Sequence, residues 1–215
     1  MFVELTDLLR CPREHEDSWL VLAALRTVDR HVLEGTLGCP VCGAEYPVSG
    51  GLADFREPGH RGGRASDEES SRVSVPVMGS SEELALMLAA YAALAEPGGT
   101  AGIGGALASV AGELERITRA RALAINPADG QSPGLSAIRC EGRLPLAADS
   151  LRALILDAAT AASLDLDAAV AKVRAGGRIV LPAAVSLPSG VVRLAGDDTW
   201  TVGERERPTI RLRRA

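Results

Sequence analysis

Apolar positions along the chain fall into two regimes with a polar stretch between them. In the first, FVELTDLLR over residues 2–10 places Phe2, Leu5, Leu8 and Leu9 at helical spacing. Residues 19–37 then alternate loosely, WLVLAAL followed by HVLEGTL about Asp29-Arg30, which predicts two strands of a small antiparallel sheet joined by a turn. Tyr46-Pro47-Val48 and Leu52-Ala53-Asp54-Phe55 flank Gly50-Gly51 as an extended segment, a glycine turn and a closing strand.

Between Arg56 and about Pro76 the text EPGHRGGRASDEESSRVSVP is polar, glycine-rich and aperiodic, and cannot bury enough surface to offset its ordering entropy. It divides the chain into a first domain over 1–56, a flexible linker over 57–76 and a second domain over 77–215. The second regime opens on Ser80 to Ala95, a helix with a Ser cap and an acidic first turn, stopped by Pro97-Gly98-Gly99. Strands at Thr100 to Gly105, Ala122 to Ile125, Leu135 to Cys140, Leu151 to Leu156 and Arg178 to Leu181 follow. They alternate with helices over Ala106 to Ile117 and Asp165 to Ala175, the latter capped by Gly176-Gly177, and with a loop over Asn126 to Gly134. Alternation of this kind predicts a parallel sheet with crossover helices, so the fold class is α/β. The tail, VVRLAGDDTWTV and then TIRLRR, reads as an antiparallel pair closing one sheet edge.

Composition narrows the function classes. Across 215 residues, apolar residues make up 47% but aromatic ones only 3%, and the net charge is −5. Such a chain has no global attraction for nucleic acid and few rings to stack on unpaired bases. Arg10, Arg13, Arg26 and Arg30 lie among Glu14, Glu16, Asp17 and Asp29, the mixture of an ordinary solvated face. No apolar run reaches membrane-spanning length, and Glu4 and Asp7 stand where a signal peptide would be basic, so the expectation is a cytoplasmic protein. Its cysteines are then reduced, and Cys140 stands alone at a strand end.

Cys39-Pro-Val-Cys42-Gly43 has the spacing of a zinc knuckle, in which a tight turn aims two thiolates at one ion. Two further donors are needed, and Cys11 with His15 supplies them as a Cys3His set. The first half is irregular. Its second ligand is either His15, at Cys-x3-His spacing, or Glu14, and His15 is the better donor for zinc. His31 and His60 have no metal-ligand partners in the sequence. Four protein donors close the ion off from water, so the expected role is structural.

LLRCP followed by LGCPVCGAEYPVSGGLADF resembles the zinc-ribbon family that includes the activator subunit of tRNA, rRNA and release-factor methyltransferases and its short bacterial relatives. The likeness runs over residues 5–56, with Cys11, Cys39, Cys42, Tyr46, Pro47, Val48 and Gly51 at the family's positions and the second cysteine of the first knuckle missing. It implies a structural zinc and a protein partner, either another copy or a methyltransferase-type protein held through a strand edge and an apolar face.

Residues 97–213 resemble a class I S-adenosylmethionine-dependent methyltransferase, a Rossmann-like doubly wound sheet with its cofactor across the strand ends. CEGRLPLAADSLRALILD is similar to the family's third-strand acid, Leu-Pro stretch and fourth strand, and VAKVRAGGRIVLP to its helix, Gly-Gly turn and fifth strand. The resemblance places cofactor-binding positions at Gly102, Gly104 and Gly105 in the first glycine loop, at Asn126 after the second strand and at Glu141 after the third. Only Glu141 carries the expected chemistry. The acid before the glycine loop is absent, Asn126 replaces a carboxylate and cannot clamp a ribose diol with charge, and no aromatic-Pro catalytic signature follows Asp157. Two readings follow: a zinc-binding protein whose methyltransferase-like domain is non-catalytic and works through protein contacts, or an active methyltransferase with its zinc ribbon in cis.

Overall fold

The computed structural model describes residues 1–57, 80–128 and 134–207. The proposed linker lies almost wholly outside them, as does TIRLRR. Within the first segment a 3₁₀ turn, Val3–Asp7, precedes strands β1 (Val21–Val28), β2 (His31–Gly38), β3 (Glu45–Ser49) and β4 (Leu52–Asp54), paired antiparallel in chain order. Asp29 and Arg30 form the β1–β2 turn with φ of 47° and 65°. Two left-handed residues give a turn whose twist matches that of the flanking strands.

The second part starts with helix α1 (Ser81–Tyr91), whose Ser80 and Glu83 form a reciprocal capping box. It continues through β5 (Thr100–Gly104), a 3₁₀ segment Gly105–Val110, α2 (Ala111–Thr118), β6 (Arg121–Ile125), β7 (Ser136–Arg139) and β8 (Leu151–Ile155). Helices α3 (Ala158–Ser163) and α4 (Leu166–Val170) then lead to β9 (Val173–Pro182), β10 (Val191–Gly196) and β11 (Trp200–Arg205). These strands lie in the order β7-β6-β5-β8-β9-β11-β10. All pairs from β7 to β9 are parallel, whereas β11 runs antiparallel to both its neighbours. This is the doubly wound, class I methyltransferase-like arrangement, with its topological switch between β5 and β8.

Ribbon and α/β part share one sheet. Strand β4 pairs parallel with β7, Leu52 to Ala137 through Asp54 to Arg139, making an 11-stranded sheet. Period-two alternation sends neighbouring side chains of each strand to opposite faces. On one face Ala122, Ala124, Ala137 and Ala153 leave room for Leu88 of α1 and Leu114 of α2 to pack closely. On the other, Leu123, Ile125, Ile138 and Leu154 join a core with Met1, Leu5 and Leu9 of the ribbon and Leu144 and Leu146 of the β7–β8 connection. That connection carries no helix, and the leading segment of the ribbon covers the strands instead. The Arg10 N–H donates to the Pro145 carbonyl at 2.9 Å and the Ala147 N–H to the Leu8 carbonyl at 2.7 Å.

Two local expectations are corrected. The helix expected over Asp165 to Ala175 ends at Val170, and Gly176-Gly177 lie inside β9 rather than after a helix. They form a bulge: Leu151 pairs with Val173 but Ala153 with Arg178. A Cβ on Gly177 would stand 2.7 Å from the Arg152 carbonyl oxygen, so a glycine is required for the strands to approach. After β8, AATAAS forms α3, which Asp157 caps by accepting from the Thr160 N–H at 2.8 Å. Among the described residues the tail pair is β10 with β11, within VVRLAGDDTWTV and the residues after it. Among the described residues no helix is long and apolar enough to cross a membrane.

Candidate metal centre and strand-end cavity

The knuckle turn is built as its sequence requires. The Gly43 N–H donates to the Cys39 carbonyl at 2.9 Å, the Cys39 N–H donates to the Ala44 carbonyl at 2.8 Å, and Gly43 takes a left-handed φ of 68°. The loop after the 3₁₀ turn brings Cys11 and His15 to the same point. The donor atoms of Cys11, His15, Cys39 and Cys42 all lie within 4.8 Å of one another. Cys11 Sγ is 3.7 Å from Cys42 Sγ, and Cys39 Sγ is 3.5 Å from His15 Nε2. Tetrahedral zinc with ordinary bond lengths separates two sulfurs by about 3.8 Å and a sulfur from a nitrogen by about 3.5 Å, so this donor set fits that ion. His15 Nδ1 sits 2.6 Å from the Glu16 carbonyl, which fixes the proton there and leaves Nε2 its lone pair for a metal. Glu14 turns outward to Arg143 at 3.3 Å.

Electrostatics favour the thiolate at Cys39. Burial acts to raise the Cys39 pKa, but the N–H groups of Cys42 and Val41 and the neighbouring thiols outweigh it and bring it down to about 6. Burial raises that of Cys11, while a hydrogen bond from Tyr46 acts the other way, the phenol oxygen lying 3.3 Å from Cys11 Sγ. Tyr46 itself is held protonated by burial and by that sulfur. The sequence identifies Tyr46 only as a matching ribbon position, since its contact with Cys11 depends on the packing of β3 against the first loop.

The second site is a cavity of about 210 Å³ at the carboxyl ends of β5 to β8, beside the topological switch. It brings together Gly105, Asn126, Glu141 and Asp157, and the ribbon supplies Arg56 to its wall. Gly102 and Gly104 do not line it; they are strand residues of β5. A Cβ on Gly102 would meet Ile125 Cδ1 at 2.9 Å, and one on Gly104 would meet Leu156 Cδ2 at 2.6 Å and Thr160 Cγ2 at 2.8 Å. Gly105 alone forms the turn, with φ of 64°, and a Cβ there would stand 2.0 Å from Asp157 Oδ2. That oxygen accepts the Ala106 N–H at 2.8 Å.

Asn126 adopts φ of 49° and is committed to the backbone of Cys140: its Nδ2 donates to the Cys140 carbonyl at 2.9 Å, and its Oδ1 accepts the Cys140 N–H at 2.8 Å. Glu141 is exposed at the cavity rim. The Cys140 thiol beside it is buried, and that burial, with the Glu141 and Asp54 carboxylates, pushes its pKa up to about 12. It is a neutral core group rather than a nucleophile.

No curated protein matches this chain. Among solved structures, the chain is similar to the MycE methyltransferase of the mycinamycin biosynthetic pathway, in complex with Mg, SAH and mycinamycin VI, at 11% identity and a TM-score of 0.45, covering 64% of this chain and 50% of that one. It is also similar to the antibiotic-resistance methyltransferase Kmr, at 14% identity and a TM-score of 0.39, covering 61% of this chain and 95% of that one. The chain thus spans about half the length of the MycE structure. Residues 3–51 match the family model described as Trm112p-like protein. The N-terminal segment is therefore similar to Trm112p-like proteins, and it is joined edge to edge with a class I methyltransferase-like sheet.

Proposed function

We propose that this protein is a zinc-ribbon scaffold whose methyltransferase-like half transfers no methyl group and acts through protein contacts. The single observation that carries the reading is the Asp157 carboxylate seated in the glycine turn, where it takes the Ala106 N–H at 2.8 Å. A glycine turn serves a cofactor by offering free backbone donors and close approach. Here the donor is used, and the negative charge repels a ligand carboxylate.

Three further observations support it. Leu156 and Thr160 fill the space above Gly104. Asn126 has both amide atoms engaged with Cys140. The cavity, about 210 Å³, falls below the roughly 300 Å³ at which small-molecule sites begin. The residues present do not fit S-adenosylmethionine. Zinc, in contrast, fits Cys11, His15, Cys39 and Cys42, and its role here is to fold the ribbon. The partner is a protein, either another copy or a methyltransferase-type protein, and the exposed Trp19, Val21, Leu25 and Val28 on the ribbon offer it apolar surface.

One observation favours the alternative, an active enzyme with its ribbon in cis. The cavity does lie at the switch point, with Glu141 on its rim. Calorimetric titration with S-adenosylmethionine separates the two. The scaffold reading expects no heat of binding; a micromolar Kd overturns it.

A further inference from the structure

We infer that the metal centre holds the ribbon-side wall of the strand-end cavity in place, with Tyr46 as the connecting residue. The inference rests on the reading that Cys11, His15, Cys39 and Cys42 bind zinc. Strand β3 turns Tyr46 and Val48 inward while Glu45, Pro47 and Ser49 face solvent. Tyr46 is 4% exposed and its hydroxyl lies 3.3 Å from Cys11 Sγ. A metal-bound thiolate can only accept, so the phenol donates to it, and the bond fixes both the sulfur and the ring.

The ring packs on Phe55, with centroids 4.8 Å apart and planes tilted by 38°. Phe55 stands one residue beyond β4, and its N–H donates to the Arg139 carbonyl at 2.8 Å, extending the β4–β7 ladder past Asp54. At the next residue of β7's extension, Asn126 locks the Cys140 N–H and carbonyl and so ties the end of β7 to the end of β6. Arg56, Arg139, Cys140 and Asn126, which follow or belong to these locked ends, form one wall of the cavity. From sulfur to cavity the connection is an unbroken run of one hydrogen bond, one ring contact and one backbone ladder. Without an ion, the Cys11 loop loses its anchor and Tyr46 its fixed acceptor, so the ends of β4 and β7 loosen while the distant β9 keeps its own pairing.

The test uses the full chain, with zinc content measured by elemental analysis and amide hydrogen exchange followed by mass spectrometry in the zinc-loaded and EDTA-treated protein. Chelation is expected to speed exchange at least about tenfold over residues 52–56 and 136–141 while leaving 173–182 unchanged. Tyr46→Phe, which keeps the ring and removes the donor, is expected to weaken zinc binding by about tenfold and to speed exchange over the same two segments at saturating zinc. If chelation speeds β9 equally, the chain has unfolded as a whole, and the Tyr46→Phe arm in saturating zinc decides. Zinc-loaded protein in which Tyr46→Phe leaves 52–56 and 136–141 as protected as wild type overturns the coupling alone. A purified chain that takes up no zinc overturns the zinc reading and the coupling with it.

Discussion

The Oδ2 atom of Asp157 accepts the Ala106 N–H at 2.8 Å, while its Oδ1 accepts the Thr160 N–H at the same distance. One carboxylate therefore caps α3 and closes the glycine turn after β5. Replacing it removes an N-cap and orphans two donors. Asp157→Ala should destabilise the chain by about 1–2 kcal/mol, measured by urea denaturation. An Asp157→Ala protein as stable as wild type would show that the carboxylate does not hold the turn.

At the metal centre the fourth ligand is open to direct trial. Cys39→Ser and His15→Ala should each lower zinc retained against a chelator, whereas Glu14→Ala should retain zinc as wild type does, because Glu14 faces Arg143 and solvent. Loss of zinc in Glu14→Ala with retention in His15→Ala would reverse the assignment.

Zinc retention should also depend on pH in a fixed direction. The folded Cys39 pKa, about 6, lies below the ordinary thiol value of 9.0. A depressed pKa contributes stability that is fully present above the unfolded value and is lost as pH falls through the folded one. Chelator competition should therefore show zinc held firmly at pH 8 and released progressively as pH falls through about 6. Retention independent of pH down to 5 would contradict this.

Thiol labelling separates the cysteines by environment. Cys140 is 1% exposed with its pKa pushed up to about 12, whereas Cys42 is exposed. In the zinc-loaded protein at pH 8, iodoacetamide should modify Cys140 only after denaturation, whereas chelation should open Cys42 to ready modification. Fast labelling of Cys140 in the native chain would place it in an open site.

The seam between the ribbon and the α/β part should behave as core. Leu9 is fully buried and bridges to Leu146. Leu9→Ala should cost about 2–5 kcal/mol, read as a lower denaturation midpoint followed through Trp200 on β11, far from the ribbon along the sheet. A loss confined to ribbon signals would mean that the two parts unfold separately.

Much of this protein could be read before folding. The Cys39-x2-Cys42 turn, the Asp29-Arg30 hairpin, the Ser80–Glu83 cap and the strands at 100–104, 121–125 and 151–155 are written in local spacing, because turn chemistry and side-chain periodicity act over a few residues. The spacing also pointed to Cys11, His15, Cys39 and Cys42, the candidate donors that the fold brings within 4.8 Å of one another, with Glu14 left as the alternative to His15. The helix expected over Asp165 to Ala175 stops at Val170 because Val173 to Ala175 enter β9, where Val173 pairs with Leu151 of β8, a sheet contact that overrides local helix preference. Local spacing likewise does not say what Arg152, buried inside β8, will meet. In the fold Arg152 donates to the Ala93 and Gly98 carbonyls, at 3.0 and 3.2 Å, and fastens the end of α1.

The sequence alone thus determined the ribbon, the candidate donors gathered in it and the α/β alternation. Only the tertiary structure decided that β4 joins β7 in one sheet, that Met1, Leu5 and Leu9 cover strands left bare by the missing helix, and that Asp157 fills the glycine turn while Asn126 is spent on Cys140. These are contacts between residues from 14 to more than a hundred positions apart, and no local spacing encodes which partner a strand edge, an apolar face or a carboxylate will meet.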